Sequence, residues 1–234
     1  MRSCHLSILL CAAALAAGPA VADDGGLHDL QARMDAAAKN FQSMTARVTY
    51  LNHTDVLDDN STETGTVTMK KVQAGDVQGR IDFELPDKKT VTIEARRVQI
   101  YLPKIKTVQI FDLGKHGEKL DQFIMIGFGT SGKQLATDYT MKVLGNDTVK
   151  GPQPVQAIKL ELTPNTAEAR EYLKKLELWI PVTGDPYPIQ EKISQPSGDY
   201  RLVNYSGMKI NPPLKADALE LKLPPGVKTD YPGR

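Results

Sequence analysis

The sequence predicts a mainly β protein of the α+β type, built as one curled antiparallel sheet or barrel. Three observations carry this. About ten segments alternate apolar and polar residues with a period of two, whereas a single long stretch shows the helical period. Turn signals separate the strands, with no alternation of strand and helix of the kind a parallel sheet needs. Strands with one wet and one apolar face need a cover, and so few helices suffice only if the sheet curls on itself. A sandwich of two sheets is the alternative.

Taken in order, Arg2 precedes an apolar run from Leu6 to Ala17 and the small residues Ala20-Val21-Ala22, the pattern of a cleavable secretory signal over residues 1–22. The mature chain is then expected to be one domain, residues 23–234, starting at Asp23 and exported to the periplasm. Cys4 and Cys11 both fall in the leader, so the remaining 212 residues have no cysteine; disulfides, thiol redox chemistry and thiolate zinc sites are excluded there. Cys11 follows Leu10, whereas lipidation requires a small residue before the cysteine, so a soluble chain is expected. Those 212 residues hold 28 basic and 28 acidic side chains, a balance that gives no field for nucleic acid. No later run of 18 apolar residues follows.

Leu27, Leu30, Met34, Ala37, Ala38 and Phe41 recur at steps of three and four, an amphipathic helix of about four turns. From Arg47 the period becomes two: Val67 and Met69, then Ile81, Phe83 and Leu85, then Val91 and Ile93, then Val98, Ile100 and Leu102, with Val108 and Ile110 following in the same register after Pro103. Turns are expected at Asp58–Asn60, Ala74–Asp76 and Pro86–Asp87. Between Leu120 and Tyr139 the alternation stops; Ser131 with Gln134 forms a capping-box signature, so a short helix through Leu135 is expected. Strands resume at Val155–Leu162. Asn165 with Glu168 caps a second short helix ending near Lys175, and further strands cover Leu176–Ile180, Ile189–Ile193, Tyr200–Tyr205 and Ala218–Leu223.

Few motifs suggest chemistry. Gly127-Phe128-Gly129-Thr130-Ser131-Gly132-Lys133 fits two phosphate-loop patterns, but Gln134 stands where a magnesium-binding Ser or Thr belongs, and the flanks are antiparallel in pattern. Turn glycines beside an apolar patch explain it better. His28, His53 and His116 have no ligand spacing, Asp55, Asp58 and Asp59 lack the glycine of a calcium loop, and no G-x-S-x-G elbow occurs. Lys70-Lys71, Lys88-Lys89, Arg96-Arg97 and Lys174-Lys175 sit among acidic residues and read as solvated strand faces. No cofactor and no catalytic constellation are expected.

Apolar surface remains. A curved sheet with so few helices cannot fill its own concavity, which leaves a cleft suited to an acyl chain. The residues expected to line the cleft and its cover are Val67, Met69, Ile81, Phe83, Val91, Ile93, Val98, Ile100, Leu102, Val108, Ile110, Leu178 and Ile180 on strands, with Phe123, Ile124 and Phe128 in the glycine-flanked segment.

Leu160-Glu161-Leu162-Thr163-Pro164, Leu176-Glu177-Leu178-Trp179-Ile180, Ile189-Gln190-Glu191-Lys192, Gly198-Asp199-Tyr200-Arg201 and Leu221-Lys222-Leu223-Pro224-Pro225-Gly226-Val227, in that order, resemble the outer-membrane lipoprotein carrier (LolA-like) family. The resemblance is clear from about Leu120 onward. It implies an unclosed antiparallel barrel with an N-terminal helix and short lid helices over a concave apolar face that holds lipoprotein acyl chains in transit through the periplasm. The family's Lys-Arg-Pro block has no counterpart: Lys70-Lys71 lacks the arginine and Arg80 stands in another context, so no arginine is carried over.

The expected function is therefore a monomeric carrier without a cofactor. It takes acyl chains or other lipid from an inner-membrane release complex and delivers lipoproteins to an outer-membrane acceptor. A lipid- or lipoprotein-sensing binding domain of an envelope-stress or transporter-linked system is the alternative, and an enzyme comes third.

Overall fold

A computed structural model describes residues 24–73, 76–94, 97–112 and 126–232. The leader read at residues 1–22, His116, Phe123 and Ile124 lie outside the described residues. In chain order the elements are helix α1 (Asp24–Asn40), strands β1 (Ser43–Thr54), β2 (Asp59–Gln73), β3 (Asp76–Leu85), β4 (Lys89–Glu94), β5 (Arg97–Leu102) and β6 (Thr107–Asp112), helix α2 (Gly132–Asp138), strands β7 (Tyr139–Val149) and β8 (Val155–Pro164), the one-turn helix α3 (Ala167–Arg170), and strands β9 (Lys175–Pro181), β10 (Gln190–Ser194), β11 (Tyr200–Ile210) and β12 (Lys228–Asp230).

All twelve of these strands form one sheet in the order β12-β6-β5-β4-β3-β2-β1-β11-β10-β9-β8-β7. Every pairing is antiparallel except β12 with β6. The sheet is curled and unclosed, with β7 and β12 at its two edges, and it is not a two-sheet sandwich. Bulges help to bend it, in β11 opposite Thr45/Arg47, in β3 opposite Thr64/Gly65 and in β7 at Val143/Gly145. At Gly65 a Cβ would lie 2.2 Å from the Asp82 carbonyl oxygen, so only glycine lets β3 approach this closely.

Register decides which side chains face inward. Tyr50, Glu63 and Val203 are neighbours across β1, β2 and β11, and the row continues through Glu191, Leu178, Leu160 and Val143. On the other side of β1, Val67, Ile81, Val91 and Ile100 share the inner face. Val108 and Ile110 do not continue this row. The four residues 103–106 join β5 to β6 as a short 3-10 turn closed by Lys106 in the left-handed region (φ 47), so Leu102 faces Thr107, and Val108 and Ile110 pair with Tyr101 and Gln99 on the outer face. One residue of register exchanges the faces of a strand, so the register expected to carry over from Leu102 to Val108 and Ile110 does not.

Three further elements differ from expectation. β7 is a strand the sequence pattern did not place; a bulge between Val143 and Gly145 interrupts its alternation, and Gly145, Asn146 and Asp147 then pair in order with Lys159, Ile158 and Ala157. Ala218–Leu223 forms turn and coil, and the chain pairs again only at β12. The α3 cap is Thr166, whose hydroxyl accepts from the Ala169 amide, while the Asn165 side chain bonds Thr140 and the Thr137 carbonyl.

α1 buries Leu30, Met34 and Ala38 and packs with α2 on the half of the concave face formed by β7, β8 and β9, where Leu160, Leu162, Leu176, Leu178 and Ile180 close the core. A second cluster joins Phe41, Met44, Val67, Met69, Phe128 and Tyr187. Gly127 and Gly129 take positive φ (92 and 73), and the turn between them drives Phe128 into this cluster. Its ring stacks on Tyr187 at 6.0 Å and meets Tyr205 edge-on at 5.3 Å. Phe128 is fully buried core, which makes it a wedge between helix and sheet and not the movable cover expected from the sequence. Phe128→Ala should therefore lower stability by about 3–5 kcal/mol in denaturant unfolding. A loss under 1 kcal/mol would return it to the cover.

Candidate functional site

α1 and α2 cover only one half of the concave face. Over β3, β4 and β5 the described residues leave a cavity of about 710 Å³, within the range of small-molecule sites. Alternation builds one wall: Ile81 and Phe83 from β3, Val91 and Ile93 from β4, Val98 and Ile100 from β5. These six of the sixteen expected residues come together here. Opposite them stand Tyr50, Val203, Tyr205, Glu191 and Ile193, and residues 171–173 and 195–197 lie at the remaining side.

The other expected residues are elsewhere. Val67, Met69, Leu178 and Ile180 face inward but are sealed in the two core clusters by Phe128, Phe41 and α1. Val108 and Ile110 are on the outer face. Leu102 continues the face of Ile100 at the strand end without lining the cavity. Of the short helices, α2 packs on α1 and β7, away from the cavity, whereas α3 leads directly into Glu171, Tyr172 and Leu173 at its side. Arg80 is on the outer face, where it bonds Asp82 and the Glu220 carbonyl.

The polar side chains at the cavity went unread in the sequence. Arg201 donates to Asn52 Oδ1 (2.8 Å) and lies over the Tyr50 ring; the Asn52 amide reaches Glu63, which also pairs with Lys89. Lys89 in turn sits 4.5 Å from the Phe83 ring centroid. These groups satisfy one another. Glu191 does not share in that network: it is 1% exposed, its carboxyl is hydrogen-bonded by the Tyr205 hydroxyl, and its Oε1 has no partner among the described residues. Burial raises its pKa well above the ordinary 4.5, and burial followed by the neighbouring Glu191 raises the Tyr205 phenol. The signal was available, since Ile189, Glu191 and Ile193 alternate and a glutamate between two isoleucines on one face has to be buried.

The phosphate-loop pattern is occupied by the fold itself. The Lys133 amide donates to Asp35 Oδ1 (3.1 Å) and the Gln134 amide to Ser131 Oγ (3.1 Å), which takes the amides a phosphate would need. Among the described residues no group of three or more His, Cys, Asp or Glu is placed to hold a metal ion, and no helix is long and apolar enough to cross a membrane.

No family model matches the chain, and no curated protein matches it. Solved structures do. MucB is 16% identical, aligned over 86% of this chain and 64% of its own, with a TM-score of 0.51. An uncharacterized conserved protein from Thermus thermophilus is 15% identical over 88% of this chain and 99% of its own, at 0.52. A LolA superfamily protein from Nitrosomonas europaea is 13% identical over 86% and 98%, at 0.40. At these identities the likeness is one of fold: an unclosed curled sheet with an N-terminal helix on its inner face.

The Glu191 carboxyl generates a pH signature. The folded chain keeps a proton that the unfolded chain releases near its ordinary pKa, so this residue's contribution is fully present below about pH 4.5 and is lost as pH rises toward the raised folded value. Denaturant unfolding across that window should show wild type losing stability relative to Glu191→Gln. Parallel profiles would mean that Glu191 holds no proton in the fold.

Proposed function

We propose that this protein is a periplasmic binding protein for acyl chains, acting as a carrier of lipoproteins or other lipid toward the outer membrane. The observation that supports it best is the apolar wall built by alternate residues of β3, β4 and β5 around about 710 Å³. Each methylene that leaves water for such a wall contributes about 0.8 kcal/mol, so a chain is held without covalent chemistry or cofactor. Hand-over suits the same architecture. The hairpin tips at one end of the sheet carry Val56, Leu57, Leu85 and Ile105 exposed, and apolar tips near a lipid cavity fit contact with another apolar surface.

A second reading is favoured by the fold shared with MucB, a protein whose complex with MucA from Pseudomonas aeruginosa has been solved. A sensing domain of that kind would retain its lipid and bind a second protein, whereas a carrier would release lipid to an acceptor. Transfer of a labelled lipoprotein from this protein to outer-membrane vesicles separates the two.

Binding itself has two tests. In a series of saturated acyl probes, affinity should rise about fourfold per added methylene until the cavity is full, and a flat series would remove the hydrophobic cavity from the mechanism. Ile100→Asp should abolish probe binding while the protein stays folded, because a charge on a wall with free space beside it can hydrate. Leu160→Asp, in closed core, should unfold the chain. Normal binding by folded Ile100→Asp would exclude this wall as the site.

A further inference from the structure

Glu191 stands where the sheet calls for an aliphatic residue. Its cross-strand neighbours are Leu178 and Val203, its neighbour along the inner face of β10 is Ile193, and any of these side chain types would pack there without a polar cost. One strand away Glu177 is also buried, but it faces outward and is paired with Lys159 at 2.8 Å and Lys175 at 3.5 Å. Glu191 has only the Tyr205 hydroxyl, and its Oε1 is the one buried side-chain oxygen without a partner among the described residues. A buried polar atom left unmet is costly, and this one belongs to a residue that lines the apolar cavity.

We propose that the cavity selects a neutral amphiphile, an acyl lipid whose head carries a hydroxyl group, and that Glu191 receives this hydroxyl while the hydrocarbon lies against Ile81, Val91 and Ile100. The proposal rests on the lipid-binding reading above and names its ligand class. A protonated carboxyl offers one O–H donor and one carbonyl acceptor, and Tyr205 uses only part of that capacity. An alcohol both donates and accepts, so it completes the set; a hydrocarbon does neither, and an ionised carboxylate or phosphate head would carry a net charge into apolar surroundings. Of the other charged groups at the cavity, Glu63 is paired with Lys89, Arg201 donates its Nε to Asn52 over the Tyr50 ring, and Glu171 is exposed at the side, so none of them stands among the hydrocarbon-lining residues as Glu191 does.

The test is a competition against a bound fluorescent acyl probe by oleyl alcohol and by octadecene of the same chain length. It is run on wild type, Glu191→Met, Glu191→Leu and Glu191→Gln, each checked by thermal melting. Preference for the alcohol over the alkene should fall about tenfold or more in the Met and Leu variants and persist in the Gln variant, which keeps a donor and an acceptor. The two apolar variants should melt no lower than wild type, and the second stands in if one fails to fold. An alcohol preference unchanged in folded Glu191→Met or Glu191→Leu, or lost equally in Glu191→Gln, would overturn the assignment while leaving lipid binding intact. Failure of both ligands to displace the probe from wild type would overturn the lipid-binding reading as well.

Discussion

A curled sheet of twelve strands presents more inward surface than one 17-residue helix can cover, and the rest of the structure depends on that mismatch. α1 spends its apolar stripe on β7, β8 and β9, and the Phe128 turn fills the middle against Phe41 and Tyr187. Nothing of comparable size among the described residues lies over β3, β4 and β5. Inward side chains there still alternate as core residues would, so the part that the described helices leave open is an apolar cavity instead of a wet groove.

Alternation was legible in the sequence, and so was most of the wall. Ile81, Phe83, Val91, Ile93, Val98 and Ile100 follow from period two alone, because β3, β4 and β5 pair with one another without a register shift. Val108 and Ile110 failed for a local reason: whether residues 103–106 close as three or four residues decides which face β6 shows, and composition does not state that count. Val67, Met69, Leu178 and Ile180 failed for a non-local one. They have the right face, but whether an inward residue is wall or sealed core depends on where α1 docks, and the helical stripe says only that it docks somewhere.

The glycine segment shows the same limit from the other side. Its residues match a phosphate loop, yet their geometry serves packing: two glycines with positive φ turn the chain so that an aromatic side chain enters the core, and Asp35 and Ser131 take the free amides of α2. Such a pattern can be distinguished from a nucleotide site only by what the amides bond, which is a tertiary fact.

Buried carboxylates divide the inner and outer faces of the sheet by function. Glu177 on the outer face is a structural charge, neutralised by Lys175 and by Lys159, which also lies over the ring of Trp179, whose own indole N–H is bonded to Asp147. Such a pair adds little beyond what an apolar replacement would, but it leaves no atom unmet. Glu191, displaced by one strand and turned to the other face, has no cation among its bonded partners, and burial raises its pKa. Protein stability alone gives no reason to keep a half-satisfied acid among Leu178, Val203 and Ile193. A residue that costs the fold and lines its cavity fits a role toward what enters that cavity.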